Sequence, residues 1–175
     1  MSGRGGIETL LHLMEVAFGE PGEVEDESQA LLQNLMSVDE GAWRALPRGA
    51  ARSIESIVLH VGSCKVMYAD YAFRGGTGHW DDQAVQPWQE GEAPMSSAID
   101  WLIKVHGELV RHVAALADDA ELDRKRLTNW GEEWATRSIV AAMITHDAYH
   151  AGEINHLRSM LGPDDRWKFI QDGFG

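Results

Sequence analysis

Apolar residues recur at helical spacing through most of the chain. Ile7, Leu10, Leu11, Met14, Ala17 and Phe18 fall every three or four positions, the period of one helix face. Gly19-Glu-Pro-Gly22 interrupts the pattern, and Leu31, Leu32, Leu35 and Met36 resume it. The spacing therefore predicts a first helix over about 7–37 that is broken near 19–22. A second helix is predicted over 52–74, capped by Ser53 or a neighbour, carrying Ile54, Ile57, Val61, Cys64, Met67, Tyr68 and Tyr71. It stops at Gly75-Gly76, and a long loop over 75–94 follows, with Trp80, Pro87, Trp88 and Pro94. The third helix, over 95–117, has the most regular stripe: Ile99, Leu102, Ile103, His106, Leu109, Val110, Val113 and Leu116. A last one begins near Trp134 and ends at Leu161-Gly162-Pro163, a stop signal. Trp167, Phe169 and Phe174 predict a tail that packs on the body. No run alternates with period two, and no Asn-Gly turn signals a hairpin. Four amphipathic helices joined by two extended connections predict an all-α domain, a four-helix bundle spanning 1–175.

Composition narrows the function classes. The chain has 175 residues, 44% of them apolar, enough for one hydrophobic core. Lys and Arg number 15 against 28 Asp and Glu, a net charge of −13. That balance argues against nucleic acid, whose phosphates need a basic face, and against docking on an anionic membrane. No stretch approaches the roughly 18–20 apolar residues of a membrane span. The first residues lack a signal peptide's apolar segment. A single cysteine, Cys64, excludes an internal disulfide and every multi-cysteine metal motif. A cytoplasmic protein is expected.

The eight histidines carry the candidate chemistry. On the last helix His146 and His150 lie about 40° apart, toward the side of Ile139, Ala142, Met143, Leu157, Met160 and Leu161. Glu153 shares that face, Asp147 falls toward its edge, and Asn155 and Arg158 point away from it. On the second helix His60 falls in the stripe of Ile57, Cys64, Met67 and Tyr71. Chance alone gives about 0.3 such i,i+4 pairs among eight histidines, so spacing by itself is a weak motif. Core placement adds weight, because each buried imidazole needs a partner and a divalent ion can satisfy several at once. Two readings fit: core-edge histidines bonded to carbonyls or carboxylates, or ligands of one metal. His106, in mid-stripe, is open between fourth ligand and supporting partner. His12, His79, His112 and His156 are expected in solvent.

Thr145-His-Asp-Ala-Tyr-His-Ala-Gly-Glu-Ile154, with His60 upstream in Ser53-Ile-x-x-Ile-Val-x-His60 and Gly75 before a Trp80 loop, resembles the DinB/YfiT-like metalloenzyme family. The similarity covers nearly the whole chain. It implies an up-down-down-up four-helix bundle, a homodimer, and a metal held by His60, His146 and His150. Zinc or nickel is the ion it suggests, with iron or manganese as further candidates. Relatives of this kind include bacillithiol S-transferases and a mycothiol-dependent maleylpyruvate isomerase, which implies a low-molecular-weight thiol cosubstrate. Two departures stand out. The family commonly has Gln where this chain has Glu153, and Cys64 lies one turn beyond His60.

Three histidines on one ion leave coordination positions open, as catalytic sites do. The leading expectation is transfer of a thiol to a small electrophile, or isomerisation through it. Metal-dependent hydrolysis is the enzymatic alternative, and a non-catalytic, dimeric metal-binding bundle is the third. Glu153 or Asp147 is expected as base or as a group supporting a ligand. Tyr149, Met67, Tyr71, Trp80 and Trp88 are candidates for the pocket wall. Cys64 is expected to be packing rather than a ligand.

Overall fold

The computed structural model describes residues 3–19 and 30–162. Helices α1 (Gly5–Phe18), α4 (Ile54–Phe73), α5 (Met95–Ala114) and α6 (Thr136–Leu161) form the bundle, with the short helices α2 (Leu31–Leu35) and α3 (Glu40–Trp43) between α1 and α4. The tail with Trp167, Phe169 and Phe174 lies outside the described residues, as does most of the break after α1.

Local chemistry sets the ends. Ser53 caps α4, its hydroxyl accepting from the Ser56 amide at 3.2 Å. Gly76, at φ +64°, turns the chain away after α4. Gly162 is extended at the end of α6, the conformation Pro163 imposes on the residue before it. The start of α1 has no cap of its own. Instead Asp119, 112–113 residues further along the chain, accepts from the Gly6 and Ile7 amides at 3.1 and 3.0 Å. In return the Arg4 guanidinium donates to the carbonyls of Ala114, Leu116 and Ala117 at the end of α5. A carboxylate thus sits on the positive end of one helix dipole and a guanidinium on the negative end of another.

These end contacts fix the directions. Arg4 and Asp119 join the start of α1 to the end of α5, so the two are antiparallel. Glu55, early in α4, accepts from Gly91 and Ala93 just before α5, and Arg74, just past α4, reaches Glu108 late in α5. Helices α4 and α5 therefore run together. Arg52, just ahead of α4, meets Glu153 late in α6, which makes α4 and α6 antiparallel. The result is the up-down-down-up order.

Two apolar clusters fill the bundle. One holds Leu31, Leu35, Trp43, Ile54, Ile57, Val61, Leu102 and Ile154, and the other Ile7, Met14, Leu109, Val113, Val140 and Met143. Between them lies a polar layer of Lys65, His106 and Asp147. Arg158, expected off the apolar face, is 3% exposed and donates to Asn34. The correction has a geometric cause. The true seam of α6 is Val140, Met143, Asp147, Ala151, Ile154 and Arg158, a heptad-like series rotated from the stripe that the apolar residues alone suggested.

A small hairpin also departs from the sequence expectation. Strands β1 (Lys125–Leu127) and β2 (Glu133–Ala135) pair antiparallel, with Arg126 opposite Trp134. Three-residue strands are too short for alternation to register. The turn is made by Thr128, which exchanges hydrogen bonds with Glu132, and by Gly131 at φ +88°. The last helix consequently starts at Thr136 rather than near Trp134.

At Gly62 helix α4 leaves no room beneath α5: a Cβ there would lie 2.2 Å from the Trp101 ring. Gly107, also helical, has open space around it. Gly62→Ala is expected to lower stability by about 1–3 kcal/mol, by overpacking. Gly107→Ala should raise it by about 0.5–1 kcal/mol, by removing backbone freedom from the unfolded chain. Chemical denaturation of the two variants checks both signs, and equal behaviour would show that the Trp101 contact yields.

Candidate metal centre

Helix α4 supplies His60, and α6 supplies His146 and His150 one turn apart. Their Nε2 atoms converge. His146 Nε2 lies 3.2 Å from His60 Nε2 and 3.2 Å from His150 Nε2, and all three ligand atoms fall within 4.8 Å of one another. Tetrahedral ligation at 2.0–2.1 Å requires nitrogens about 3.3 Å apart, so the spacing suits a zinc-sized ion. Protons alone serve the cluster poorly. The Glu153 carboxylate, 2.8 Å from His150 Nδ1, accepts a hydrogen bond from the N–H at that nitrogen and so leaves Nε2 with its lone pair free. One proton on His146 Nε2 can then satisfy one of its two contacts, not both. His146 Nδ1 is buried with no partner among the described residues. A cation at the convergence point satisfies all three Nε2 atoms, so the residues present fit a divalent metal.

The electrostatics agree. Burial pushes the His146 imidazole down to about 3, helped by the neighbouring His150 and His60. Burial also lowers His60 and His150, the latter against the opposing bond from Glu153. All three are neutral at neutral pH, the form that ligates. The cluster sits at the bundle's edge rather than in its centre: His60 is exposed, His146 half-buried and His150 buried.

The two carboxylates take different places. Glu153 is bonded to His150 and gripped by Arg52, whose Nε and Nη2 each reach a carboxylate oxygen at 2.8 Å. Burial pushes its carboxyl up, but the bonds from Arg52 and His150 outweigh that and hold it below its ordinary value. Asp147 turns inward, away from the cluster, and Lys65 Nζ binds both of its oxygens at 2.7 and 2.6 Å. Lys65 and Asp147 are 1% and 2% exposed.

His106 does not join the three. Its ring stacks on Phe18 with centroids 3.6 Å apart, and its Nδ1 lies 3.8 Å from Asp147. Cys64 Sγ is 3.8–3.9 Å from the His60 ring, and burial pushes its thiol up to about 11. It stays protonated and is not part of the ligand group. His12, His79 and His156 are exposed as expected. His112 is half-buried, stacked on Phe73 and accepting from Arg74.

A cavity of about 220 Å³ opens beside His60. Trp80, Trp88, Gln86 and Glu90 from the 75–94 loop face Ser56 and Ser63 of α4 across it. Of the expected wall residues, Trp80 and Trp88 are therefore in place. Tyr149 stands instead beside His150, ring centroids 4.9 Å apart, and is 67% exposed. Met67 and Tyr71 are not in this lining: Met67 is buried near Gly78, and the Tyr71 hydroxyl donates to the Gly78 carbonyl.

Arg52 and Lys65 were not singled out by sequence. Lys65 was detectable, since it lies within about 20° of Ile54 and Val58 on the helix, a lysine inside an apolar stripe. Nothing in the sequence marked Arg52, because its partner is 101 residues away.

With the fold and cluster in view, comparison with known proteins gives the family. The family model described as the DinB superfamily matches residues 23–154, well over half of the chain. The protein belongs to the DinB superfamily, and its three-histidine group could bind a metal ion. A search of curated proteins found no match. Among the described residues, no helix is long and apolar enough to cross a membrane.

His106 makes the fold acid-sensitive apart from any metal. Burial, with Lys65 nearby, pushes its imidazole from 6.5 down to about 2. The unfolded chain takes up a proton below pH 6.5 that the folded chain refuses. Its share of stability is therefore present above pH 6.5 and is lost as pH falls toward about 2. Between neutrality and pH 4.5 this amounts to about 2–3 kcal/mol. His106→Phe, which keeps a ring against Phe18, is expected to flatten the fall of Tm from pH 6.5 to 4.5 in chelator-treated protein. An unchanged slope would assign the sensitivity elsewhere.

Proposed function

We propose that this chain is a metal-dependent enzyme that joins a low-molecular-weight thiol to a small electrophile, or isomerises the electrophile through it. The observation that carries the reading is the convergence of three neutral Nε2 atoms next to a cavity. His60, His146 and His150 would hold the ion, most simply zinc or nickel. When bound, the ion supplies Lewis acidity and lowers the pKa of a thiol or water that reaches an open position.

The chain's own groups then have defined tasks. Glu153 keeps a proton on His150 Nδ1 and presents Nε2 to the site, while Arg52 keeps Glu153 ionised and oriented. Neither Glu153 nor Asp147 is free to accept a proton, since each is committed to a cation or an N–H. That favours a nucleophile activated by the ion rather than by a protein base. Cys64, buried and protonated, is not the sulfur nucleophile, which supports a thiol supplied from outside. A cytoplasm, where small thiols stay reduced, suits this chemistry. A homodimer is part of the reading.

Untagged protein is expected to carry about one equivalent of divalent metal per chain by elemental analysis. His150→Ala should hold under about a tenth of that. Glu153→Gln should weaken metal affinity about 10–100-fold. Full metal retention in His150→Ala would overturn the ligand set. For the chemistry, thiol consumption is assayed with bacillithiol, mycothiol and glutathione against a generic electrophile such as 1-chloro-2,4-dinitrobenzene. Turnover with at least one thiol, lost in His146→Ala, is expected. Ester hydrolysis lost in His146→Ala, without thiol turnover, would instead make the protein a hydrolase. A metal-loaded chain inert in both assays would be a binding bundle.

A further inference from the structure

We propose that the cavity between α4 and the 75–94 loop binds a small cationic head group, so that the substrate at the three-histidine site carries an ammonium or comparable positive charge. The inference rests on the metal-site reading for its role, but its own evidence is the wall.

That wall is fixed in place. A loop of twenty residues without regular structure is unusual in a compact domain and tends to be functional. Here three side chains of α4, two turns apart and on one side of the helix, hold it down. Asp70 accepts from the Gly78 amide at 2.8 Å, Ser63 donates to the Val85 carbonyl at 2.7 Å, and Glu55 accepts from Gly91 and Ala93. Val85, in the middle of the loop, is itself buried. The cavity is thus preformed, and at about 220 Å³ it admits a head group rather than a drug-sized molecule.

Its chemistry selects a sign. Two indoles, Trp80 and Trp88, line it together with the Glu90 carboxylate, and aromatic faces beside a carboxylate attract cations. No lysine or arginine occurs between residues 75 and 94, whereas Asp81, Asp82, Glu90 and Glu92 do. The guanidinium groups close by are already paired, Arg52 with Glu153 and Arg44 with Glu55 and the Ala93 carbonyl. His60 completes the wall on the side of the three-histidine site. Apart from the ion that the three histidines would hold, the lining offers an anionic group no positive charge, whereas a cation has two indoles and a carboxylate.

The test uses benzyltrimethylammonium, which cannot ligate a metal, against benzyl alcohol and phenylacetate. Binding is followed by NMR of the Trp80 and Trp88 indole N–H groups, assigned with Trp80→Phe and Trp88→Phe, in protein as purified and after chelation. The ammonium probe is expected to shift both indoles and to bind about fivefold or more tighter than either other probe, with or without metal. Glu90→Gln, an exposed substitution, should remove most of that preference and leave the metal content unchanged. Equal binding of the three probes, tighter binding of phenylacetate after chelation, or an ammonium preference that survives Glu90→Gln would overturn the proposal. Metal content is measured on the same samples, which separates the two ideas. A metal-loaded chain with no ammonium preference sinks the cation site alone. An ammonium preference in a chain that never holds metal supports the cation site and removes the metal reading.

Discussion

The ion pair between Lys65 and Asp147 is the constraint around which the bundle is arranged. Both groups are almost wholly buried, and Lys65 Nζ also lies 5.1 Å over the Phe18 ring. Removing two charges from water costs several kcal/mol each, which their attraction offsets only when geometry is good and every valence is used. The pair meets that condition at 2.6–2.7 Å, and its worth lies in specificity more than in stability. A purely apolar seam would tolerate α6 sliding along α4 by a turn. With the pair present, such a slide leaves two unpaired charges in the core. The surviving register is the one that sets His60 against His146 and His150, and Arg52 against Glu153.

Around this layer the molecule separates stability from chemistry. Apolar clusters above and below the pair hold the helices together. The histidines are set to one side of the same level, from exposed His60 to buried His150. His146 and Asp147 are neighbours in sequence with opposite duties, one facing the site and the other the core. Behind His150, charge runs outward in a short relay: imidazole to Glu153, Glu153 to Arg52. Each member fixes the protonation state of the one before it, so the ligand geometry does not depend on a flexible side chain finding its place.

Much of this was legible in the sequence, for identifiable reasons. Helix positions followed from apolar spacing, and the starts and stops from Ser53, Gly75-Gly76 and Leu161-Gly162-Pro163. The three histidines could be grouped because two share a helix turn and the resemblance supplied the third. What was hidden is what depends on partners distant in sequence. Arg158 and Asp147 looked peripheral because only apolar residues were used to find the face of α6, while the real seam contains charges. The hairpin at 125–135 escaped because three-residue strands carry no period. Arg52 and the Asp119 cap are single polar side chains whose meaning appears only when residues about a hundred positions apart meet.

Helix α4 carries both His60 and the three side chains that pin the 75–94 loop. The distance from the cavity's indoles to His60 is therefore measured along one rigid rod and not across a joint. The other two imidazoles come from α6, which is tied to α4 by Arg52–Glu153 and Lys65–Asp147. Such a site works as a fixed gauge for the length of what it holds. On the proposed reading it would discriminate among molecules by the span between the head group in the cavity and the atom held at the histidines.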